Sequence, residues 1–342
     1  MAVKLSPMEN VEGKLPFEGL VPELILDAVD SAGLRTDGRL LALNSYENRV
    51  YEVGIEEGEP LVAKFYRPGR WSDEAILEEH SFTMELAEHE VPVVPPLLLE
   101  EGITLLEYEG FRFALFNKQP GRTPELEDED TLKWMGRFMG RIHAVGKTRR
   151  FVNRPALNPG TFGDDSVNFV LEKGFVPSYL EKAYKTLAEE ILRRVREGWG
   201  KAGIDPEGSY GIRLHGDCHP GNILWTREGP HFVDFDDCRT GPAIQDLWML
   251  ISGNRSERQE GLDYVLEGYS GFADLNPKEL FLIEPLRALR MLNHSAWLAR
   301  RWEDPAFKTS FPWFDTPKYW EEQILSLREQ AALMDEPPLD FT

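Results

Sequence analysis

Cysteine, basic charge and long apolar runs are what this chain has least of. Its 342 residues include two cysteines, Cys218 and Cys238, a usage that suits a reducing compartment. No apolar run approaches the roughly 20 residues that a membrane helix needs. Met1–Glu12 has no basic stretch followed by an apolar core, so no signal peptide is expected. A cytoplasmic location is therefore expected. Lys and Arg number 38 against 59 Asp and Glu, a formal net charge of −21. Such a surface repels phosphates and anionic headgroups, which argues against nucleic acid or a membrane as partner. Solvated surface explains most of this acidity; a cationic small substrate or a basic protein would also suit it.

What is present is ordinary for a soluble globular protein, with 42% hydrophobic and 28% charged residues. The length allows two lobes, each with its own core. Leu40–Asn44, Arg49–Val53 and Leu61–Tyr66 read as short strands, with a Glu56–Pro60 turn between the last two. Ser72-Asp73-Glu74 opens an amphipathic helix that runs to about His89. Leu105–Tyr108 and Phe111–Phe116 form a hairpin around Glu109-Gly110. Gln119–Pro124 is the expected linker. Beyond it helices are expected over Asp130–Val145, Pro177–Trp199, Ala243–Ser252, Pro277–Trp302 with a kink at Pro285, and Tyr319–Leu333. The expected fold is α+β: a small antiparallel-sheet lobe over 1–118, a hinge over 119–124, and a larger, mainly helical lobe over 125–342. A nucleotide would sit between the lobes, where ligand sites concentrate.

The most informative segment is Leu214-His215-Gly216-Asp217-Cys218-His219-Pro220-Gly221-Asn222, followed by Phe232-Val233-Asp234-Phe235-Asp236. It reads as His-x-Asp, then Asn, then a short apolar run ending in Asp. The apolar stretches Ile223–Trp225 and Phe232-Val233, on either side of Thr226–Pro230, make it a strand–turn–strand with Asn222 at one mouth and Asp234 at the other. An ordinary turn would also use Asp, Asn, Gly and Pro. Phosphoryl transfer needs one carboxylate to orient the attacking hydroxyl and oxygen ligands to hold magnesium on the nucleotide phosphates. Asp217 is the candidate base, and Asn222 and Asp234 are the candidate magnesium ligands. His215 reads as a support that hydrogen-bonds the loop backbone.

Lys64, in Leu61-Val62-Ala63-Lys64-Phe65-Tyr66, matches the strand lysine that contacts the α- and β-phosphates in kinases. A strand lysine alone would face solvent. Its partner is expected to be Glu79, with Glu78 the close second. No G-x-G-x-x-G stands between the first two strands. Asn44-Ser45-Tyr46-Glu47-Asn48 is there instead, and Ser45 could donate to a phosphate oxygen or belong to a plain hairpin turn.

These residues resemble the aminoglycoside phosphotransferase and choline kinase superfamily, a branch of the protein kinase-like fold. Leu43–Tyr51, Lys64–Pro68, Leu214–Trp225, Phe232–Asp237, Gly241–Met249, Ile283–Arg287 and Phe311-Pro312-Trp313 resemble more specifically the bacterial stress response kinase A family. The resemblance implies ATP- and Mg2+-dependent phosphorylation of protein Ser or Thr, autophosphorylation, a role in stress and survival, and a monomer. It implies Asp217 as proton acceptor, Asn222 and Asp234 as metal ligands, Ser45 at the nucleotide loop, and Asp246 as a brace beneath the catalytic loop. Gly216 replaces the Arg of H-R-D, Asp234-Phe235-Asp236 replaces D-F-G, and no A-P-E segment follows. Regulation by an ordered activation loop is therefore not expected.

The alternatives are a small-molecule hydroxyl kinase, a nucleotide-binding scaffold without catalysis, and a metal hydrolase using His215, Asp217, His219, His231 and Asp234. Cys218 and Cys238 beside the motif raise a redox switch as a further hypothesis. The aromatic stretch from Trp302 to Trp320 reads as packing of the last helix, or else as a substrate wall.

Overall fold

The computed structural model describes residues 15–340; the Met1–Glu12 segment lies outside them. The chain divides into two compact units, one built from residues up to Leu77 with Pro96–Lys118, the other from Glu78–Pro95 with the chain from Gln119 on.

In the sheet unit, α1 (Pro22–Ser31) precedes β1 (Thr36–Ala42), β2 (Arg49–Ile55) and β3 (Leu61–Phe65), then the first turn of α2 (Asp73–Glu88), and finally β4 (Leu106–Tyr108) and β5 (Phe111–Asn117). The five strands form one antiparallel sheet in the order β1-β2-β3-β5-β4. Strand residues alternate between faces, and the burial follows that period. Ala63 and Phe65 point with Phe113 and Leu115 into a core closed by Ile25, Ala28 and Val29 of α1. Tyr66 and Ala114 pack with Ile76 of α2 in a separate cluster. Lys64, paired with Val50 on one side and Ala114 on the other, shares that second face. α1 was not expected from the sequence.

The helical unit contains the rest of α2, then α3 (Glu129–Gly146), α4 (Asp165–Glu172), α5 (Ser178–Ala202), β6 (Ile212–Leu214), β7 (Ile223–Thr226), β8 (Gly229–Phe232), β9 (Arg239–Gly241), α6 (Ile244–Trp248), α7 (Arg255–Tyr269), α8 (Ile283–Arg300), α9 (Pro305–Ser310) and α10 (Pro317–Leu333). Its core is continuous from Phe82 of α2 to Leu339. α3 and α7 approach at backbone distance. A Cβ on Gly136 would lie 2.0 Å from the Val265 carbonyl, and one on Gly268 2.0 Å from that of Lys133.

Four expectations need correction. The helix expected over Ala243–Ser252 is only Ile244–Trp248 long. The chain must leave it early because Asn254 is extended and forms a capping box with Glu257 for α7. α7 itself was missed, although that Asn-to-Glu spacing is its signature. Pro277–Trp302 does not kink at Pro285; it is a 3-10 segment over Pro277–Leu282 followed by α8, with Pro285 in the first turn, where no N–H is needed. The β7–β8 hairpin turn is tighter than Thr226–Pro230, since Thr226 pairs directly with Gly229. As for the aromatic stretch, Phe307, Phe314 and Trp320 are core residues while Trp313 stays 44% exposed, so packing accounts for most of it.

Candidate active site

The segment from His215 to Asn222 leaves β6 and enters β7, and single side chains fix it from below. His215 is fully buried; its Nε2–H donates to the Val233 carbonyl at 3.0 Å. Its ring lies 4.4 Å from that of Phe235, between centroids. It therefore ties the loop to the end of β8, the supporting role expected of it.

Asp246 of α6 is wholly buried and accepts the N–H of His215 at Oδ2 and of Gly216 at Oδ1, each at 2.9 Å. His143 Nε2 reaches the same Oδ2 at 3.2 Å, and Tyr269 Oη meets His143 Nδ1 at 3.0 Å. Burial opposes the Asp246 charge, but His143 and the Gly216 N–H outweigh it and hold the carboxyl below its ordinary value. The close α3–α7 packing places His143 and Tyr269 for this role. Asp246 is thus the brace that the resemblance implies, and the His143–Tyr269 pair behind it was missed. Gly216 has φ +87, and a Cβ there would meet the Asp237 carbonyl at 2.2 Å. The position that carries Arg in H-R-D has no room here for any side chain.

Asp217 follows, its side chain 25% exposed. Arg290 Nη1 of α8 donates to its Oδ1 at 2.5 Å, and His219 Nε2 lies 3.5 Å from Oδ2. His219 Nδ1 accepts the Gly221 N–H at 3.0 Å, so the neutral ring carries its proton on Nε2, facing Asp217. Desolvation depresses the His219 pKa, with Asp217 opposing and Arg290 adding to it. Arg290 was not singled out from the sequence.

Asn222 and Asp234 stand at the open end of the β7–β8 hairpin, where the Val233 N–H donates to the Asn222 carbonyl at 3.0 Å. Asn222 Nδ2 donates to the Asp217 carbonyl at 3.0 Å, which leaves Oδ1 as the atom the amide can offer to a cation. Asp234 adopts the left-handed conformation, φ 59 and ψ 65, strained for any residue but Gly and more accessible to Asp than most. An amide oxygen and a carboxylate are the hard donors that magnesium takes when substrate phosphates and water complete its shell. Among the described residues no three His, Cys, Asp or Glu side chains gather as a metal cage. With His215 engaged by Val233, the hydrolase alternative loses its ligand set.

Glu78 and Glu79 have distinct uses. Glu78 accepts the backbone N–H groups of Val152, Asn153 and Arg154 at 2.7, 2.8 and 2.9 Å. Glu79, 3% exposed, receives Arg154 Nη2 at 2.9 Å, and Arg154 Nη1 reaches the carbonyls of Asp236 at 2.6 Å and Cys238 at 3.2 Å. Arg154 therefore ties Glu79 to the turn that follows Asp234. That buried arginine was not singled out from the sequence.

In the sheet unit Lys64 is 6% exposed, with Nζ 5.0 Å from the Tyr66 ring centroid. Ser45 Oγ donates to the Asn48 carbonyl at 3.2 Å. The turn is held by Arg67, whose N–H donates to Asn48 Oδ1 at 3.0 Å and whose Nε lies 3.0 Å from Glu47 Oε1. Arg70 adds a second ion pair to Glu47 at 3.3 Å. Both cysteines are fully buried. Burial pushes the Cys218 thiol well above its ordinary value, with Asp246 and Asp217 adding to it, and pushes Cys238 up to about 12. Neither has the exposed thiolate that a redox switch requires.

The fold and this loop define a phosphotransferase of the kinase-like class, and the profile of the phosphotransferase enzyme family matches residues 39–281. The chain is 43% identical to stress response kinase A of Escherichia coli over 326 residues, covering 95% of this chain and 97% of that one. It is 42% identical, over the same shares, to a protein of Salmonella typhimurium named serine/threonine protein kinase RdoA. The chain belongs to the stress response kinase A family. Among solved structures, amicoumacin kinase hAmiN in complex with AMP-PNP, Ca2+ and Ami is similar with a TM-score of 0.69 at 20% identity, over 91% of this chain and 93% of that one. A microcompartment-associated aminopropanol kinase follows with a TM-score of 0.62 at 17% identity, over 90% and 95%. Among the described residues no helix is long and apolar enough to cross a membrane.

Proposed function

We propose that this protein transfers the γ-phosphoryl group of ATP to Ser or Thr hydroxyls of proteins, its own chain included, as part of a stress response. The observation that carries this reading is Asp217, a partly exposed carboxylate on a loop whose backbone hangs from a buried aspartate. Asp217 accepts a hydrogen bond from the attacking hydroxyl and takes its proton late in the transfer. Asn222 Oδ1 and Asp234 would hold magnesium, which when bound neutralises charge on the phosphates. By the match to kinases, Lys64 contacts the α- and β-phosphates with Glu79 as its expected partner, and Ser45 contributes from the β1–β2 turn. The protein-kinase part is supported by the name of the Salmonella relative at 42% identity. The formal net charge of −21 favours basic protein acceptors over nucleic acid or membrane, and we read the protein as a cytoplasmic monomer.

The alternative acceptor is a small hydroxylated molecule. The test is incubation of wild-type and Asp217→Ala protein with γ-labelled ATP and magnesium, with and without a histone mixture. Acid-stable label on Ser or Thr in wild type alone is expected. ATP turnover that rises with hydroxylated small molecules and leaves protein unlabelled would overturn the protein-kinase reading. Equal activity in Asp217→Ala would overturn the role of Asp217.

A further inference from the structure

We propose that Arg290 is the positioning residue for Asp217: it fixes the carboxylate so that Oδ2, and not Oδ1, meets the acceptor hydroxyl. This rests on the reading of Asp217 as the base.

A free aspartate has two equivalent oxygens and a broad χ2 well. Here they are not equivalent. Oδ1 takes a charge-assisted bond from Arg290 Nη1 at 2.5 Å, whereas Oδ2 has only the His219 Nε2 at 3.5 Å, beyond ordinary hydrogen-bond length. An incoming hydroxyl displaces nothing of consequence at Oδ2, whereas at Oδ1 it would have to share the oxygen with the guanidinium. The arginine is carried on a firm support. Glu284, in the first turn of α8, holds Arg258 at 2.5 Å and Gln330 of α10 at 2.8 Å. One turn from Arg290 on either side, the Arg287 guanidinium lies 5.2 Å from the Trp248 ring centroid and His294 stacks on Trp297 at 5.7 Å. Neighbours three and four apart share a helix face, so the face carrying Arg290 is ordered along its length.

The residue next to Asp217 cannot supply a guanidinium, because the Cβ position of Gly216 is filled by the Asp237 carbonyl. α8, 73 residues further along, provides the guanidinium instead. Arg290 is 44% exposed in this pair, and exposed ion pairs contribute little to stability. Its replacement should therefore change the reaction and not the fold.

The experiment compares wild type, Arg290→Ala, Arg290→Lys and Asp217→Ala in the γ-labelled ATP assay, with thermal unfolding alongside. Arg290→Ala is expected to lower kcat about 10- to 100-fold, the range for a misplaced reacting group. KM for ATP and the unfolding midpoint should stay within about twofold and ~2 °C of wild type. Arg290→Lys keeps charge but not the planar fork and should recover only part of the loss. Added guanidinium ion, at concentrations below those that unfold the protein, should restore activity to Arg290→Ala and not to Asp217→Ala. Wild-type kcat in Arg290→Ala, or a loss matched by a lowered midpoint and no rescue, would overturn the proposal while leaving Asp217 as base. Full activity in Asp217→Ala would instead remove the reading on which it rests.

Discussion

Asp246→Asn is the substitution that tests most directly how the His215–Asn222 loop is held. Asp246 offers two oxygens to three N–H donors: Gly216 at Oδ1, and His215 with His143 at Oδ2. Asparagine has one acceptor oxygen. Whichever way the amide turns, its NH2 faces a backbone N–H at 2.9 Å. One buried donor is then unsatisfied, at about 1–3 kcal/mol, and the surviving bonds lose their charge assistance, about 1 kcal/mol each. Removing a buried charge returns part of this through desolvation. The net expected loss is about 2–4 kcal/mol, or roughly 4–8 °C in the thermal transition of the helical unit. The folded pKa of Asp246 lies below its ordinary value of 3.8. Its contribution is therefore complete above the unfolded pKa and is lost as pH falls through the lower folded value. The difference between wild type and variant should be constant at neutral pH and shrink only below about pH 4. Because His215–Asp217 hang from this carboxylate, kcat should fall by about 100-fold as well. Calorimetry or denaturant unfolding at pH 7 and pH 3, paired with ATP turnover, checks both effects. A variant with wild-type midpoint and turnover would refute the assignment of Asp246 as the support.

Three other expectations concern glycines and cysteines. Gly216→Ala places a Cβ 2.2 Å from the Asp237 carbonyl at φ +87 and should cost about 2–4 kcal/mol with loss of activity; Gly200→Ala, with open space around it on α5, should be neutral or stabilising by ~0.5–1 kcal/mol. Cys218 and Cys238 should resist thiol reagents in the native protein and react on unfolding, and peroxide should leave activity intact. Stoichiometric labelling of the native chain would show that their burial had been misjudged.

How much of this was legible in the sequence depended on distance along the chain. Asp217, Asn222 and Asp234 lie within a single strand–turn–strand, so spacing alone places them at one hairpin mouth. Lys64 was singled out only through its match to the strand lysine of kinases, since a strand lysine alone would read as solvent-facing. Arg290, His143, Tyr269 and Arg154 were not, because each reaches the loop through a tertiary contact from 73 to 126 residues away or through another such residue. A lone Arg or His on a helix face looks the same whether it meets solvent or a carboxylate. Glu78 and Glu79 show the limit well. Both lie on α2 and both are engaged, but one holds three backbone N–H groups and the other a buried guanidinium. Periodicity could rank them but could not reveal Arg154. α7 escaped for a different reason: its residues are polar around most of the helix, and its packing on α3 runs through glycines that carry no hydrophobic signal.

The turn after Asp234 shows what these distant residues accomplish together. Left-handed backbone at a non-glycine residue costs of order 1–3 kcal/mol and persists only where the surroundings over-determine it. Here they do. Arg154 holds the carbonyls of Asp236 and Cys238, and Arg239 Nε holds that of Asp237 at 2.8 Å. Phe235 is buried against His215 and lies 5.9 Å from Phe82, between ring centroids. β9 then pairs at once with β6, so α6 begins ten residues after Asp234 without an intervening segment. Where D-F-G ends in a glycine that lets the backbone turn over, this chain has Asp236, 3% exposed, with its carbonyl bonded to Arg154. Each carbonyl of the turn that Arg154 or Arg239 holds is one more contact to break before Asp234 can swing away. The sequence departures from D-F-G and A-P-E thus have a physical counterpart: the turn after Asp234 is held at three carbonyls and passes directly into β9.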